Sequence, residues 1–540
     1  MGESTVEPKG LFVRQSSGLV RELGVGSAFG INLGSIQPTG IGFFFFVVLA
    51  GYPGSDLTVP LLLVFGIAVL LSLAYAQLLA AIPRSGSDYV YVSRILHPAL
   101  GAAVGIGFFI AVLLAVPGVN ITVLADTYLP FIFQTLGQVT GVQGLESFAT
   151  GMAGKGAVLI VSVIVILITT GLLAVRASTL ARITFWCVIV GIVSVLLLIL
   201  EFAIHTPQAF RTAFDSATGN SNAYAQVIQK AQSAGLHTGV QWGQVFGSMA
   251  LVGGLYGGGA FATYTGGELR RPAWTFRLST LAALAVMLVL ALGSWLVFRH
   301  TVGLDFAQAA AYLSTNDPAA YAKVAGNVTA YIPSYALLIG TDPVSKVLIA
   351  IGFAAGVLSL IFAGALILTR LLFALSFDQL LPSAVADVRP RTHIPLNAAL
   401  IVGVGMVICA VLVIYTSVLS ATRNTFLILD AIYMLSSLCA AILPWRRKEL
   451  YAAAPKVLGW ERIFGVPTVS IVGFASFALQ GLLLFLQATQ TQVSGGYDAV
   501  SIITVLVCAL LGFVFYAVSW IRMRARGLDL DLALKELPPE

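Results

Sequence analysis

Long apolar stretches alternate with short polar ones along most of this chain. A helix that crosses a bilayer needs about 20 mostly apolar residues, and twelve stretches meet that requirement. The pattern therefore predicts twelve membrane spans, which we number 1 to 12 in chain order. Their expected extents are 22–50, 58–82, 98–118, 155–174, 180–203, 243–267, 274–298, 343–377, 397–417, 424–444, 467–488 and 499–521.

Two polar linkers, 204–242 and 299–342, are much longer than most of the others. Inside the second linker, residues 305–325 have the sequence DFAQAAAYLSTNDPAAYAKVA. This pattern fits a helix lying on the membrane surface or a short solvated loop helix. Several other linkers have under about ten residues, and they predict antiparallel neighbouring spans.

Composition agrees with a polytopic membrane protein. The 540 residues are 58% hydrophobic and only 10% charged, with a mean hydropathy of +0.95. Soluble domains carry about a quarter charged residues. The polar start MGESTVEPKGLFVRQSSGLVRE does not resemble a cleaved secretory signal. All four cysteines lie in apolar runs, so we expect buried thiols and no disulfide.

The distribution of Lys and Arg predicts the orientation in the membrane. If the N-terminus is cytoplasmic, 22 of the 29 Lys and Arg residues lie on the cytoplasmic side. Both termini are therefore expected inside, and we expect a plasma-membrane location. The formal charge of +6 reflects this topology. Because no basic patch is interleaved with aromatic residues, nucleic-acid binding is unsupported.

Two of the predicted spans contain segments that would interrupt a helix. Residues 30–42 of span 1 have the sequence GINLGSIQPTGIG, and residues 247–267 of span 6 have the sequence GSMALVGGLYGGGAFATYTGG. Small residues also allow close helix packing, which is the alternative interpretation. Unwound backbone is tolerated at membrane depth only where it is buried in protein or lines a wet cavity. Interrupted spans at corresponding positions of two halves point to a transporter whose site lies at the breaks.

Four segments resemble one family. They are GINLGSI in span 1, LAYAQLLAAIPRSGSDYVYVSR at the end of span 2, YTGGELRRPAWTFR after span 6, and TRLLFALSFDQLLPSAVADVRPRTHIPLNAAL between spans 8 and 9. In this order they are similar to the amino acid-polyamine-organocation superfamily, over about residues 20–450. The second segment is the most specific of the four.

The resemblance implies an all-α membrane protein of twelve helices with a five-plus-five inverted repeat, as in leucine-transporter-like proteins. Helices 1 and 6 would be broken, and two helices would be additional. The expected parts are a cytoplasmic segment 1–21, a first repeat 22–203, an external loop 204–242, a second repeat 243–444, the two additional helices 467–521 and a tail 522–540. The implied function is secondary transport of amino acids or related amines across the bilayer by alternating access.

The resemblance also places a substrate site. The carboxylate would bind at Gly34, Ser35 and Ile36, and the ammonium at backbone oxygens of Asn32, Gly254 and Gly257. This is reasonable because half-helix ends offer free amide protons or free carbonyl oxygens. Tyr256 either closes over a substrate or packs on neighbouring helices. The side chains of Asn32 and Gln37 are either substrate donors or partners of the broken backbone.

Departures from the family pattern affect the substrate. Ile36 stands where the family has a third glycine, and its branched side chain obstructs close approach of a carboxylate. Gly254 replaces a bulky aromatic gate, and Gly259-Ala260 replaces a pair that is often an aromatic residue and Glu. The expectation is a bulkier apolar amino acid, or an amine without the α-carboxylate.

A further departure concerns coupling. Proton-coupled relatives have a Lys at the position of Gly191, and glycine cannot carry a proton. Two alternatives remain, namely a sodium ion held by span 1 carbonyls and a hydroxyl such as that of Ser359, or exchange or facilitation without sodium. An isolated serine in a span usually bonds back to its own helix. Apart from that sodium ion, no metal or cofactor is expected.

Charged residues inside spans are functional candidates. Asp430 lies 16 residues before Arg446, roughly 24 Å from the cytoplasmic face at about 1.5 Å per residue. It is a candidate gate or partner of a cationic substrate, or an Asp reached by water. Glu268, Arg270 and Arg271, at the inner end of span 6, are candidates for a cytoplasmic gate that pairs with Asp88 or Arg94, or are simple topology determinants.

Other classes of protein fit less well. A major-facilitator carrier would have a Gly-Asp-Arg signature after span 2 and a long middle loop, and this chain has neither. An enzyme is not expected, since the five histidines are scattered and show no metal-ligand spacing. A channel for small organic solutes stays open as an alternative, since a glycine-lined path can conduct.

Overall fold

The computed structural model describes residues 19–326, 328–389, 393–416, 424–489 and 499–527. Within these residues, twelve helical segments are long and apolar enough to cross a membrane, which confirms the predicted all-α membrane protein. Most of the predicted N-terminal segment and of the tail lies outside the described residues. Arg391 and Arg423, which are among the 29 Lys and Arg residues counted above, also lie outside the described residues.

The spans are built from the following helices, labelled in chain order. They are Val25–Ile36 (α1) and Ile41–Gly51 (α2) in span 1, Thr58–Ala81 (α3) in span 2, Pro98–Leu113 (α5), Val119–Val123 (α6) and Leu129–Thr140 (α7) in span 3, Lys155–Leu173 (α9) in span 4, Ala177–Ile204 (α10) in span 5, Trp242–Gly247 (α13) and Met249–Tyr256 (α14) in span 6, Pro272–Val302 (α15) in span 7, Pro343–Phe377 (α19) in span 8, Leu396–Tyr415 (α20) in span 9, Asn424–Arg446 (α21) in span 10, Thr468–Thr489 (α23) in span 11 and Ala499–Ala525 (α24) in span 12.

Shorter elements connect the spans. They are the helices Ser87–Ile95 (α4), Gln143–Gly151 (α8), Pro207–Thr218 (α11), Ala223–Ser233 (α12), Leu304–Asn316 (α16), Pro318–Ala325 (α17), Ile332–Ile339 (α18) and Lys448–Ala453 (α22), and one small antiparallel hairpin of Arg462–Ile463 (β1) and Val466–Pro467 (β2).

Span 3 is longer than the sequence pattern predicts. Its end was expected at residue 118, but helical structure continues to Thr140 through two single π-turns, Leu114–Gly118 and Leu124–Tyr128. Pro117 has no amide proton to donate to the preceding turn. The side chain of Asn120 donates to the carbonyl oxygens of Ala115 and Val116, inside the first π-turn, at 3.0 and 2.9 Å. Helical structure therefore continues beyond the proline through a π-turn whose carbonyls have a side-chain partner.

The segment 305–325 is a helical loop segment that packs partly on other parts of the protein. It forms α16 and α17, and α16 packs on α2 and α12. Phe306 and Leu313 on α16 are fully buried. The predicted solvated loop helix thus fits the partly exposed α17, but not α16, whose apolar face covers other parts of the protein.

Burial separates central spans from peripheral ones. The apolar windows of spans 1, 6 and 8 are 67%, 78% and 72% buried, whereas that of span 12 is 17% buried. Spans 4, 5 and 11 are also mostly exposed, and large apolar side chains such as Leu167, Trp186 and Leu510 face outward. These faces are suited to lipid. The two broken spans therefore lie in the protein interior, where unwound backbone can be satisfied.

Candidate substrate site at the two helix breaks

Span 1 is broken at the position that the sequence indicates. Helix α1 ends at Ile36, and Gln37 adopts a left-handed conformation with a φ of 59°. A 3₁₀ turn over Pro38–Gly40 then leads into α2. Pro38 begins this turn, where its missing amide proton is of no consequence.

Span 6 changes from an α-helix to a tighter helix at its middle. Helix α14 ends at Tyr256, and a 3₁₀ helix runs over Gly257–Tyr264. A second short 3₁₀ turn covers Gly266–Glu268 before span 7 begins at Pro272. Two breaks, in spans 1 and 6, are thus present as predicted.

The two breaks pack directly on each other. A Cβ atom added to Gly258 would lie 2.3 Å from the carbonyl oxygen of Ser35 and 2.8 Å from the amide nitrogen of Ile36. Only glycine permits this approach. The side-chain oxygen of Asn32 accepts a 2.9 Å hydrogen bond from the amide of Ala262. Asn32 therefore acts as a partner of the broken backbone, which was one of its two predicted roles.

The residues that were predicted to bind the substrate carboxylate also make contacts within the protein. Ser35 donates its hydroxyl proton to the carbonyl oxygen of Ile31, one turn earlier, at 2.7 Å. Gly34 packs against Thr184 and Ser359. The side chain of Ile36 extends towards Gly259. The amides at the end of α1 are thus covered by span 6.

The two residues of span 6 whose carbonyl oxygens were predicted to bind the substrate ammonium have different surroundings. A side chain on Gly254 would collide with the ring of Phe426, at 2.4 Å, so this glycine faces span 10. The carbonyl oxygen of Gly254 accepts a hydrogen bond from the amide of Gly257. The carbonyl oxygen of Gly257 accepts one from the hydroxyl of Tyr433, at 2.5 Å. Both carbonyl oxygens are therefore occupied.

A small cavity lies beside the break in span 6, between spans 2, 6, 10 and 11. We call it the span 10/11 cavity, and it has room for about one water molecule, about 20 Å³. Its lining consists of Val64, Ile67, Ala68, Leu71, Gly253, Tyr256, Gly257, Asp430, Tyr433, Gln480 and Leu483. Three of the predicted candidates, Tyr256, Gly257 and Asp430, thus meet at one cavity.

Asp430 is buried in span 10 and contacts span 11. One of its carboxylate oxygens accepts a 2.5 Å hydrogen bond from the side-chain amide of Gln487. The same amide group donates to the carbonyl oxygen of Ala250 in span 6, at 3.0 Å. Asp430 is therefore held in the interior by protein groups and is 7% exposed.

The candidate coupling residues lie where spans 1, 5 and 8 meet. The methyl group of Thr39 lies against Gly191, and a Cβ on Gly356 would be 2.0 Å from the hydroxyl oxygen of Thr39. Ser359 donates its hydroxyl proton to the carbonyl oxygen of Gly356 in its own helix, at 2.6 Å. Thr39 and the backbone of span 8 thus fill the space beside Gly191. The sodium alternative near Ser359 stays a hypothesis.

At the end that the Lys and Arg count predicts to be cytoplasmic, Glu268 pairs with Arg370. Two nitrogens of this guanidinium donate to the two carboxylate oxygens at 3.0 and 2.7 Å, and both side chains are buried. The suggested pairing of Glu268 with Arg94 is wrong, because Arg94 instead pairs with Asp378, at 2.6 Å. Arg94 and Arg370, the two buried guanidinium groups among the described residues at this end, are thus each matched by an acid, as the burial of a charge requires.

Asp88 is fully buried and is held by hydroxyl groups. It accepts hydrogen bonds from Tyr75, from Tyr264 at 2.6 Å and from Ser436 at 2.5 Å. These donors come from span 2, the 3₁₀ helix of span 6 and span 10. Burial raises the pKa of the Asp88 carboxyl above its ordinary value, although the three hydroxyl donors oppose the shift.

Comparison with known families identifies the chain. The family model for amino acid permeases matches residues 23–520. The chain belongs to the amino acid permease family. This is a family of transporters of amino acids or related solutes, and not a family of enzymes. A comparison with curated proteins found no match.

Sequence reasoning about this permease missed several groups around the site. Gln480 and Gln487 are seven residues apart, so two helical turns place them on one face of an otherwise apolar span. Arg370 was counted only as a topology determinant. Two polar residues at this spacing, and a cation within a predicted span, are sequence features from which these groups could have been predicted. No group of three or more His, Cys, Asp or Glu side chains suited to a metal ion occurs in the described part of the permease.

Proposed function

We propose that this permease is a secondary transporter that works by alternating access, with its substrate site beside the breaks of spans 1 and 6. The observation that carries the proposal is the direct contact of the two breaks at Gly258 and Ser35. Discontinuous helices at corresponding positions of two halves are typical of inverted-repeat transporters. The proposed repeats are residues 22–203 and 243–444, with two additional helices in 467–521.

Closed contacts at both ends of the broken spans support alternating access. At one end, the amide of Leu23 donates to the carbonyl oxygen of Glu268, and the amide of Arg270 donates to that of Leu23, both at 2.9 Å. At the other end, the amide of Gln241 donates to the carbonyl oxygen of Gly54, at 2.8 Å. A carrier needs such closure on each side in turn, whereas an open channel needs a continuous path.

Further pairs hold the second end closed. Asp56, next to Gly54, forms an ion pair with Arg299 and accepts a 3.2 Å hydrogen bond from the indole of Trp295. Gln308 on α16 donates to the carbonyl oxygen of Ser55, at 3.2 Å. The outer-loop helix α16 thus supports the loop between spans 1 and 2. The Lys and Arg distribution supports an external position for this end and cytoplasmic termini in a plasma-membrane protein.

The substrate is an amino acid or a related amine. Ile36 and the contact of Gly258 with the amides of α1 both obstruct close approach of a small carboxylate. This favours a solute with a bulky apolar part over glycine or alanine.

Uptake by purified protein in proteoliposomes tests the function. A carrier is expected to show saturable uptake that unlabelled substrate competes, and counterflow that accelerates entry when the same solute is loaded inside. Non-saturating flux without counterflow would instead support the channel alternative. A panel of glycine, alanine, leucine, phenylalanine, arginine and putrescine identifies the preferred class, and alanine or glycine as the best ligand would contradict the argument from Ile36.

A further inference from the structure

The span 10/11 cavity presents hydrogen-bond acceptors. Asp430 contributes a carboxylate with one oxygen bonded to Gln487. The side-chain oxygen of Gln480 is buried and has no hydrogen-bond partner among the described residues. Gln480 itself is 3% exposed. An unpaired buried acceptor beside a buried carboxylate costs free energy unless a donor or a cation meets it.

The rest of the cavity wall is apolar or aromatic. Val64, Ile67 and Leu71 line it from span 2, and Tyr256 and Tyr433 line it from spans 6 and 10. No Lys, Arg or His is among the residues that line it. The wall thus has partners for a positive charge, since aromatic faces also attract cations, and apolar side chains border the small space that the charged group would fill. It has no cation for a carboxylate.

We propose that the span 10/11 cavity binds the ammonium group of an apolar monoamine, with Asp430 and Gln480 as the ammonium ligands. The inference rests on the proposed transport function and names its substrate class. An ammonium is a compact group with three donors, close in size to the single water for which the cavity has room. Spans 10 and 11 thereby contribute to recognition, beside the carbonyl groups at the helix breaks.

The geometry of the breaks agrees with this substrate class. A zwitterion would need a second site for its carboxylate, and the amides at the end of α1 lie under Gly258. The carbonyl oxygen of Gly257 is occupied by the hydroxyl of Tyr433. The free acceptors therefore lie on the side of Asp430 and Gln480, and a ligand with a single positive charge satisfies them.

Direct binding to the purified full-length protein tests the proposal. Calorimetry in potassium chloride compares phenethylamine, phenylalanine and 3-phenylpropionate, which share the ring and differ in charge. We expect phenethylamine to bind at least about tenfold more tightly than phenylalanine, and 3-phenylpropionate not to bind. Tighter binding of phenylalanine, or no binding of phenethylamine, would overturn the proposal.

Variants assign the binding to the two ligands. Asp430→Asn keeps an acceptor for Gln487 and removes the charge, so it is expected to weaken phenethylamine binding by at least about tenfold. Gln480→Leu is expected to weaken it several-fold, and it supplies an independent result if the first variant misfolds. Asp126→Asn is the matched control, because Asp126 lies in span 3 with its side chain exposed. Unchanged affinity in both cavity variants would refute the assignment.

Two further measurements distinguish a failure of the proposed amine site from a failure of the proposed transport function. Replacement of potassium by sodium is expected to leave amine binding unchanged, and Asp430-dependent displacement by sodium would mean that the cavity is a metal-ion site. Uptake is measured on the same preparations. Saturable uptake of phenylalanine without an Asp430-dependent amine site would refute this inference and leave the transporter standing. Asp430-dependent binding without uptake of any solute would refute the proposed transport function and leave the amine site standing.

Discussion

Tyr433 donates its hydroxyl proton to the carbonyl oxygen of Gly257 at 2.5 Å, and so joins span 10 to the break in span 6. This carbonyl oxygen is one that the family resemblance assigns to substrate. A shift of span 10 or a rotation of the hydroxyl would free this oxygen to accept a hydrogen bond from a substrate instead. Tyr433 is thus placed to exchange a protein partner for a ligand at the break.

Removing this hydroxyl tests its structural contribution. Tyr433→Phe leaves a buried carbonyl oxygen without a partner, which costs about 1–3 kcal/mol. We expect a lower unfolding temperature of the purified protein, measured by thermal scanning. Tyr415→Phe is the control, because the side chain of Tyr415 is 51% exposed. Equal unfolding temperatures for the wild type and Tyr433→Phe would contradict the role of the bond.

Two adjacent glycines provide a matched test of the contact between the breaks. Gly258→Ala forces a methyl group to within 2.3 Å of the carbonyl oxygen of Ser35, and overpacking of this kind costs about 1–3 kcal/mol. Gly257→Ala has open space around the new methyl group. We expect only Gly258→Ala to lower the unfolding temperature. Equal losses in the two variants would show that the breaks are not in contact in the membrane protein.

Because Glu268 and Arg370 form a buried pair, we expect a substitution of one partner to lower the stability more than a substitution of both. Arg370→Met leaves an unpaired buried carboxylate, and breaking a buried pair costs about 3–5 kcal/mol. Adding Glu268→Leu removes that charge, so the double variant is expected to regain much of the lost stability. Thermal unfolding of the four proteins gives the interaction energy as a double-mutant cycle.

The pair of Arg299 and Asp56, in which only the guanidinium is exposed, is the comparison for this cycle. The guanidinium of Arg299 is 42% exposed, and ion pairs that water reaches contribute about 0–1 kcal/mol. Arg299→Met is therefore expected to lower the unfolding temperature much less than Arg370→Met. A double variant at Glu268 and Arg370 no more stable than Arg370→Met alone would argue against the pair.

Asp88 predicts a dependence of stability on pH. Burial raises the pKa of its carboxyl in the folded protein, so the folded state binds the proton more tightly than the unfolded state, whose pKa is about 3.9. The free energy of unfolding therefore falls as pH rises from about 4 through the raised pKa. Asp88→Asn removes this titration.

Unfolding temperatures from pH 4 to pH 7 measure the effect. Stability is expected to fall less, or to rise more, with increasing pH in Asp88→Asn than in the wild type, whatever the absolute stability of the variant. Asp305→Asn, on the exposed surface of α16, is expected to keep the wild-type slope. Parallel curves for the wild type and Asp88→Asn would exclude Asp88 as the titrating group.

Gly191 predicts that the protein lacks the lysine-based proton coupling of related transporters. Thr39 and span 8 occupy the space beside it, and glycine has no titrating group. A proton gradient imposed on empty, sodium-free proteoliposomes is therefore expected not to drive accumulation. Repeating the uptake with sodium outside, and with substrate inside, distinguishes sodium coupling from exchange. Accumulation driven by protons alone would contradict the prediction and make Asp430 the first group to test.

Hydropathy predicted the spans well because a membrane helix must satisfy its own backbone over about 20 apolar residues. It failed at the end of span 3, where the helix continues past Pro117 through π-turns and the Asn120 side chain bonds to two carbonyl oxygens. It also failed for α16, since a hydrophobic pattern does not specify whether protein or lipid covers it. Both errors concern tertiary partners, which a local pattern does not contain.

The site could be predicted only in part for a related reason. Glycine and proline patterns located the breaks, because backbone that departs from a helix needs those residues. The partners of Glu268 and Asp88 could not be predicted, since Arg370 is 102 residues from Glu268 and Ser436 is 348 from Asp88. The cavity of Asp430 and Gln480 likewise depends on the packing of span 11 against span 10.

The backbone pairing of Leu23 with Glu268 and Arg270 has a mechanical consequence. It fastens the segment ahead of span 1 to the segment that follows the break in span 6, with one hydrogen bond in each direction. While these two hydrogen bonds hold, neither segment can move away without pulling the other. The halves of the two broken helices at this end are therefore expected to move as one unit, and a force applied to either half is expected to reach both.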